Sequence, residues 1–286
     1  MSGGRVLVCD EWYPLDAVRE TLPQAERGDV AEGGPGVAAI LVSPDSPVTA
    51  ADIDGMPDLR VIATASTGLD HVDVEAAARA GVEVRDAGDY CAEEVADHAL
   101  ALLVALLRGV PAQDRSVQAG EFDHRAGGVP RRLAGTRLAV VGYGRIGRAL
   151  AGRAEALQMD VRWFDPYVPG GDADLDGLLG WAEAVSLHMP LTPETEALLD
   201  ARRLGLLEPG TILVNTARAA IVDRAAMLEA THVRAAFDAL WERPPGADLL
   251  GHDHLVLTPY VAWYSATTER EPYLRAARAA AEVLKR

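Results

Sequence analysis

Residues able to do chemistry recur in this chain at one kind of place, immediately after a short apolar run. They are a G-x-G-x-x-G turn at Gly142, Gly144 and Gly147, an acid at Asp165, and then His188, Arg218, Asp238 and Tyr260. The glycine spacing suits a phosphate. The first glycine permits a tight turn, the second lets backbone approach a pyrophosphate, and the third lets the next helix lie close to the strand. The helix expected over 145–157 aims its free N–H groups at that phosphate. Asp165 ends the next apolar run, where a carboxylate accepts hydrogen bonds from an adenosine ribose and repels a 2′-phosphate, which favours NAD over NADP. Strand, glycine turn, helix, strand and terminal acid in that order predict a dinucleotide site.

The elements that must carry these residues follow from the hydrophobic pattern. Residues 138–141 are apolar without helical period and β-branched, as in a buried parallel strand. From residue 5 to about residue 88, apolar runs alternate with helical stretches, which predicts a small parallel sheet with helices on it. Residues 26–36 are rich in Gly and charge and are expected to form a surface loop. Residues 92–107, AEEVADHALALLVALL, start with acids and continue in Leu and Ala, and predict a buried helix connecting two domains. His98 on it is expected to be a packed or interface residue. Thr192-Pro193-Glu194-Thr195 is a helix start by composition. The expected fold is α/β, two Rossmann-like doubly wound parallel-sheet domains. In an open α/β sheet ligands bind at the carboxyl ends of the strands, so His188, Arg218, Asp238 and Tyr260 are expected to converge on the nicotinamide end of the cofactor.

Composition bounds the partners. A formal charge of −16 with dispersed arginines argues against a nucleic-acid surface, and an anionic substrate would need a local cationic pocket. No apolar run reaches membrane-spanning length, and no signal peptide is read at the start. Cys9 and Cys91 suit a reducing cytoplasm, and neither has metal-ligand spacing, so no metal is expected.

Six segments together resemble the NAD-dependent D-2-hydroxyacid dehydrogenases, the group containing phosphoglycerate dehydrogenase and the C-terminal-binding protein corepressors. They are TGLDHVD (67–73), YCAEEVADHALALL (90–103), LAGTRLAVVGYGRIGRAL (133–150), HMPLTPET (188–195), LVNTARAAIVD (213–223) and LTPYVAWYS (257–265). The resemblance covers nearly the whole chain. It implies a discontinuous substrate domain, 1–104 completed by 266–286, an NAD-binding domain at 105–265, and a homodimer formed through the nucleotide domain. It implies that Ser66, Thr67 and Gly68 hold a substrate carboxylate through backbone N–H groups together with Arg218, whose planar fork pairs with carboxylate and carbonyl. It places Tyr143, Arg145 and Ile146 of the glycine turn along the cofactor, with His188, Pro190, Thr195, Thr216 and Ala217, and gives Asp238 the carboxamide of nicotinamide.

The chain departs from the family at its acid/base pair. A typical member carries a Glu before a Pro after the Asp238 position, and that Glu supports a His in a T-P-H sequence, the proton donor to the substrate carbonyl. Here Arg243 precedes Pro244, and Thr258-Pro259-Tyr260 puts Tyr260 at the His position. Glu242, one residue away, is expected to point to the other side. Ala219 and Ala220 stand where glycines are common. Three readings follow. Tyr260 is the acid/base and Arg243 its cationic partner, a cation that favours phenolate; two arginines in one cleft would then suit a substrate with an extra anionic group. Or the pair has been lost, and the chain is a catalytically silent NAD-binding sensor or interaction protein, with Tyr260 an aromatic packed beside Trp263 and Tyr264. Or NAD stays bound for a redox-neutral reaction.

Overall fold

Short, mostly apolar runs in this chain form eleven strands among the residues described, 4–286 of a computed structural model. All pair in parallel, in two sheets. The chain divides into two units, one running through Cys91 and resuming at Tyr264–Arg286, the other Ala92–Trp263.

The first unit holds β1 (Arg5–Val8), β2 (Ala25–Arg27), β3 (Val37–Val42), β4 (Val61–Thr64) and β5 (Glu83–Arg85), in spatial order β2-β1-β3-β4-β5. Every residue of β3 and β4 is buried, as central parallel strands covered on both faces require. The helix Glu271–Leu284 returns to this sheet with a face of small residues, Ala276, Ala277 and Ala280, all fully buried. Such a face lets it lie close, and Arg60 ties its end with an Nη2 bond of 2.9 Å to the Val283 carbonyl. The stretch expected to be a loop at 26–36 is more ordered than that. Its first residues belong to the edge strand β2, and Val30–Glu32 form one 3₁₀ turn capped by Asp29. A three-residue edge strand is too short to leave a period in the sequence.

The second unit holds β6 (Arg137–Val141), β7 (Asp160–Phe164), β8 (Ala184–Leu187), β9 (Ile212–Asn215), β10 (Arg234–Phe237) and β11 (Leu255–Leu257), in order β11-β10-β9-β8-β6-β7. The order reverses between β6 and β8, and a crevice opens at the carboxyl ends of strands at such a reversal. The helix Ala92–Arg108 buries Val95, Ala96, Ala99, Leu102, Leu103, Leu106 and Leu107, one stripe at helical spacing. It packs on the helix Arg145–Ala156 and on β9 and β10, and Arg153 of that partner helix pairs with Glu93 at 2.6 Å and Asp97 at 2.7 Å. It is therefore a layer of the second unit. The boundary falls at residue 91 where the sequence had put it at 104, because this stripe is completed only by downstream elements. At the other end it falls at 264 rather than 266.

The expected helix at Thr192–Thr195 is absent. Thr195 Oγ1 instead accepts from the Thr192 N–H at 2.7 Å and donates to the Pro190 carbonyl at 2.8 Å, closing a turn, and the next helix is Ala201–Leu204. The chain leaves the helical path at Ala197, φ +48°, whose N–H bonds the Ala220 carbonyl at 2.8 Å instead of continuing a helix. Among the described residues no single helix is long and apolar enough to cross a membrane, and no group of three His, Cys, Asp or Glu is placed to hold a metal ion.

Candidate active site

The second sheet brings the glycine turn, Asp165, His188, Arg218, Asp238 and Tyr260 to the carboxyl ends of its strands. The glycine turn follows β6, Asp165 follows β7, His188 follows β8, Thr216, Ala217 and Arg218 follow β9, Asp238 follows β10, and Tyr260 follows the end of β11 after Thr258 and Pro259.

The three glycines are used differently. Gly142 has φ +92°, and a Cβ there would lie 2.6 Å from the His188 carbonyl carbon; a Cβ on Gly147 would lie 2.1 Å from the Gly142 oxygen. Both contacts are impossible for a side chain, so turn, helix and the β8 end close on one another only with glycine at these positions. Nothing lies within 4 Å of a Cβ on Gly144, at the start of the helix Arg145–Ala156. That space is the cradle a pyrophosphate needs. Asp165, half-buried, accepts from the Tyr143 N–H at 2.8 Å and the Tyr167 N–H at 2.9 Å. It holds the turn in shape and, as a carboxylate with about four acceptor sites, keeps room for ribose hydroxyls. Tyr143 lies flat on Trp163 of β7, centroids 4.2 Å apart, with the Arg148 guanidinium 5.5 Å from the Tyr143 ring. The sequence reading missed Trp163, since an aromatic in a strand gives no sign of which loop folds over it. Thr216 is buried and its Oγ1 has no partner among the described residues. A buried hydroxyl left unpaired is costly, so this one is available to a ligand. The open glycine cradle, the ribose-facing acid and the orphaned hydroxyl together fit NAD.

His188 is half-buried, 2.8 Å from Ser186 Oγ, and burial pushes its pKa down to about 4. It is neutral at physiological pH. In the unfolded chain the same imidazole titrates near 6.5, so between pH 6.5 and 4 the unfolded state binds more protons. The stabilisation associated with neutral His188 is complete above 6.5 and is lost as pH falls toward 4. Thermal melts of wild type and His188→Gln should therefore converge over that interval and keep a constant gap above it.

The turn after β9 is shaped by Asn215, fully buried, whose Nδ2 donates to the Arg218 carbonyl at 2.8 Å and whose Oδ1 accepts from the Ala217 N–H at 3.0 Å. The asparagine ending the apolar run TILVN was a signal available in the sequence and not used. Arg218 emerges from this turn half-buried, with Nη1 on the Ala217 carbonyl at 3.0 Å.

Asp238, 1 % exposed, is committed to the loop bearing Tyr260. Its Oδ1 accepts from Thr258 Oγ1 at 2.6 Å and the Val261 N–H at 2.9 Å, its Oδ2 from the Ala262 N–H at 2.9 Å, and its backbone carbonyl from the Tyr260 N–H at 2.9 Å. The expectation for Asp238 named a carboxamide; this carboxylate already has three protein donors. Because the Thr258 hydrogen goes to Asp238, His98 Nε2, 3.3 Å from Thr258 Oγ1, must be the donor in that pair. His98 is thus a packed residue that braces the loop. Tyr260 sits at φ +58°, a conformation a bulky residue adopts only when its surroundings impose it.

Two cations flank the Tyr260 ring. The Arg243 guanidinium lies 4.1 Å from its centroid and that of Arg218 5.9 Å, both within cation–π range. Glu242 is turned away, with Oε1 accepting from Arg224 Nη2 and the Gly246 N–H, each at 2.8 Å.

In the first unit, Ser66, Thr67 and Gly68 form a turn directly after β4. Ser66 Oγ donates to the Gly68 carbonyl at 2.7 Å and Thr67 Oγ1 to the Gly88 carbonyl at 2.9 Å. The Thr67 and Gly68 N–H groups have no acceptor among the described residues.

A family model described as D-isomer specific 2-hydroxyacid dehydrogenase, NAD binding domain, matches residues 100–262. Glycerate dehydrogenase of Methylorubrum extorquens is 37 % identical over 236 residues, covering 77 % of this chain and 74 % of that protein. (S)-Sulfolactate dehydrogenase of Chromohalobacter salexigens is 36 % identical, covering 83 % of this chain and 81 % of that one. D-3-phosphoglycerate dehydrogenase of Mycobacterium bovis is 36 % identical over 85 % of this chain, which spans about half (48 %) of that longer protein. Among solved structures, the TT0316 protein of Thermus thermophilus superposes with a TM-score of 0.85 at 34 % identity, over 98 % of this chain and 97 % of that one.

Proposed function

The chain belongs to the D-isomer specific 2-hydroxyacid dehydrogenases, NAD-dependent oxidoreductases, and from that premise we propose that it interconverts a 2-oxo acid and a 2-hydroxy acid bearing a second anionic group, with Tyr260 in place of the usual His. The observation that carries the reading is the pair of guanidinium groups, Arg218 and Arg243, on one phenol ring.

NAD, when bound, supplies or accepts the hydride. The glycine turn, Asp165, Thr216 and the neutral His188 hold and orient it, with Tyr143, Arg145, Ile146, Pro190, Thr195 and Ala217 lining its length. Arg218 grips the substrate carboxylate and carbonyl oxygen in its two-pronged fork, which also polarises the carbonyl. Reduction leaves negative charge on that oxygen, and the Tyr260 hydroxyl donates the proton that neutralises it. The phenolate left behind is stabilised by the cations beside its ring, which is what makes a phenol a competent acid here. The Ser66–Gly68 turn of the first unit gives backbone N–H groups to a carboxylate.

Arg243 is exposed beside the Tyr260 ring, and its neighbour Glu242 is engaged with Arg224. We assign it to the second anionic group as well as to Tyr260. Two relatives act, by their names, on molecules of that kind, sulfolactate and phosphoglycerate. NADH oxidation against 2-oxo acids with methyl, carboxylate, sulfonate or phosphate tails tests this. The anionic tails should be the better substrates, and Arg243→Gln should raise their KM about tenfold or more, the worth of one charge-assisted contact, while leaving the methyl compound's KM within about twofold. Equal loss for both would remove Arg243 from substrate recognition.

We place the enzyme in the cytoplasm as a homodimer. The helix Val110–Gln118 buries none of its residues, and Val110, Val117, Phe122 and Val129 are exposed, a composition that suits a subunit contact.

A further inference from the structure

Behind the Ser66–Gly68 turn lies a chain of hydrogen bonds whose direction can be worked out from donor count alone. His71 Nε2 is 2.9 Å from Thr64 Oγ1, Thr64 Oγ1 is 2.9 Å from Ser66 Oγ, and Ser66 Oγ is 2.7 Å from the Gly68 carbonyl oxygen. A carbonyl only accepts, so the single Ser66 hydrogen goes to Gly68. Ser66 must then accept from Thr64, whose single hydrogen is thereby used, and Thr64 must accept from His71. The relay therefore runs one way, from imidazole N–H through two hydroxyls to a backbone carbonyl, and it requires hydrogen on Nε2. Thr64 and Ser66 are both buried, 0 % and 5 % exposed, so no solvent competes for these groups.

The relay acts on the turn's peptide planes. In a trans peptide the C=O and the following N–H point in opposite directions. The Gly68 carbonyl is drawn inward by Ser66, which turns the Leu69 N–H outward. The Ser66 carbonyl is held by the Ala87 N–H at 2.9 Å, which does the same for Thr67. The N–H groups of Thr67, Gly68 and Leu69 have no acceptor among the described residues. Successive N–H groups without acceptors, the first and last of them fixed from behind, make an anion-binding concavity.

We propose that His71 is a positioning residue for substrate: through Thr64 and Ser66 it fixes the Gly68–Leu69 peptide plane, and so the member of this row of N–H groups that completes the receiver of the substrate carboxylate. The proposal rests on the 2-oxo acid reading only for the identity of the anion. His71 touches no substrate, so its loss weakens binding and leaves the chemical step alone.

Kinetics and NMR on the full chain with NAD(H) test it. His71→Leu and Thr64→Val, which break the relay at different links, should each raise the 2-oxo acid KM about tenfold with kcat within about twofold, the worth of one hydrogen bond to a buried group. His71→Gln, which keeps an N–H at a similar reach, should recover most of that loss. A fall in kcat equal to the rise in KM, or no rescue by Gln, would overturn the positioning role. Imidazole ¹⁵N shifts should show His71 carrying hydrogen on Nε2, and a neutral Nδ1–H tautomer would overturn the relay whatever the kinetics. Should a variant fail to fold, Ser66→Ala breaks the last link alone. Titration with oxalate, followed by the amide shifts of Thr67, Gly68 and Leu69, separates the two levels. Amide shifts in wild type that weaken in His71→Leu, without turnover of any 2-oxo acid, would uphold this inference and sink the proposed reaction; no amide shifts would sink the inference.

Discussion

Tyr260→Phe is expected to lower kcat for 2-oxo acid reduction by about 10²–10⁴-fold, the usual worth of a positioned general acid, while the dissociation constant of NADH stays unchanged. Phe keeps the ring between Arg243, 4.1 Å from its centroid, and Arg218, at 5.9 Å, and keeps the backbone bonds by which Asp238 holds the loop. Only the hydroxyl is lost. Stopped-flow absorbance of NADH under single-turnover conditions reads the chemical step directly, and fluorescence titration reads cofactor binding. A Phe variant with undiminished kcat would return Tyr260 to the role of a packed aromatic.

The second large effect lies at the glycine turn, where the same substitution at two positions should fail for different reasons. Gly147→Ala places a methyl 2.1 Å from the Gly142 oxygen, so the helix Arg145–Ala156 must move off β6. Overpacking of this kind costs about 1–3 kcal/mol or more, and a lowered Tm should accompany weaker NADH binding. Gly144→Ala meets nothing within 4 Å and has no positive φ. Its Tm should match wild type, yet its methyl occupies the pyrophosphate cradle, and NADH affinity should fall at least about 100-fold as the backbone N–H contacts are held apart. A Gly144→Ala protein that binds NADH normally would move the cofactor off this turn.

The glycine turn was legible because each of its residues answers a local requirement, a positive φ, a close approach or an open cradle, that only glycine meets. The parallel strands were legible because burial on both faces leaves unbroken apolar runs such as 37–42 and 61–64. What the sequence hid were arrangements decided by partners distant along the chain. Helix Ala92–Arg108 has a clear apolar stripe, but only the fold says that the stripe meets Arg145–Ala156 and so belongs to the second unit. Thr192–Thr195 has a helix-start composition, and the Ala220 carbonyl, which takes the Ala197 N–H at 2.8 Å, draws the chain out of a helical path. Thr258 and Trp163 escaped notice for the same reason, whereas Asn215 and the relay from His71 have partners nearby in sequence and escaped because an irregular turn leaves no period to read. Their chemistry is ordinary in isolation and becomes specific only when Arg218, Asp238, Tyr143 or Ser66 is placed beside them.

The central claim is that Tyr260 donates the proton and Arg243 tunes it, and the pH dependence of kcat tests it most directly. A phenol acting as acid must be protonated, so kcat for reduction should fall as pH rises through its ionisation. Arg243 favours the phenolate, so removing it makes the phenol harder to ionise and should move that fall to higher pH in Arg243→Gln. The account predicts this displacement, together with its disappearance in Tyr260→Phe. Superimposable pH profiles for wild type and Arg243→Gln would contradict it.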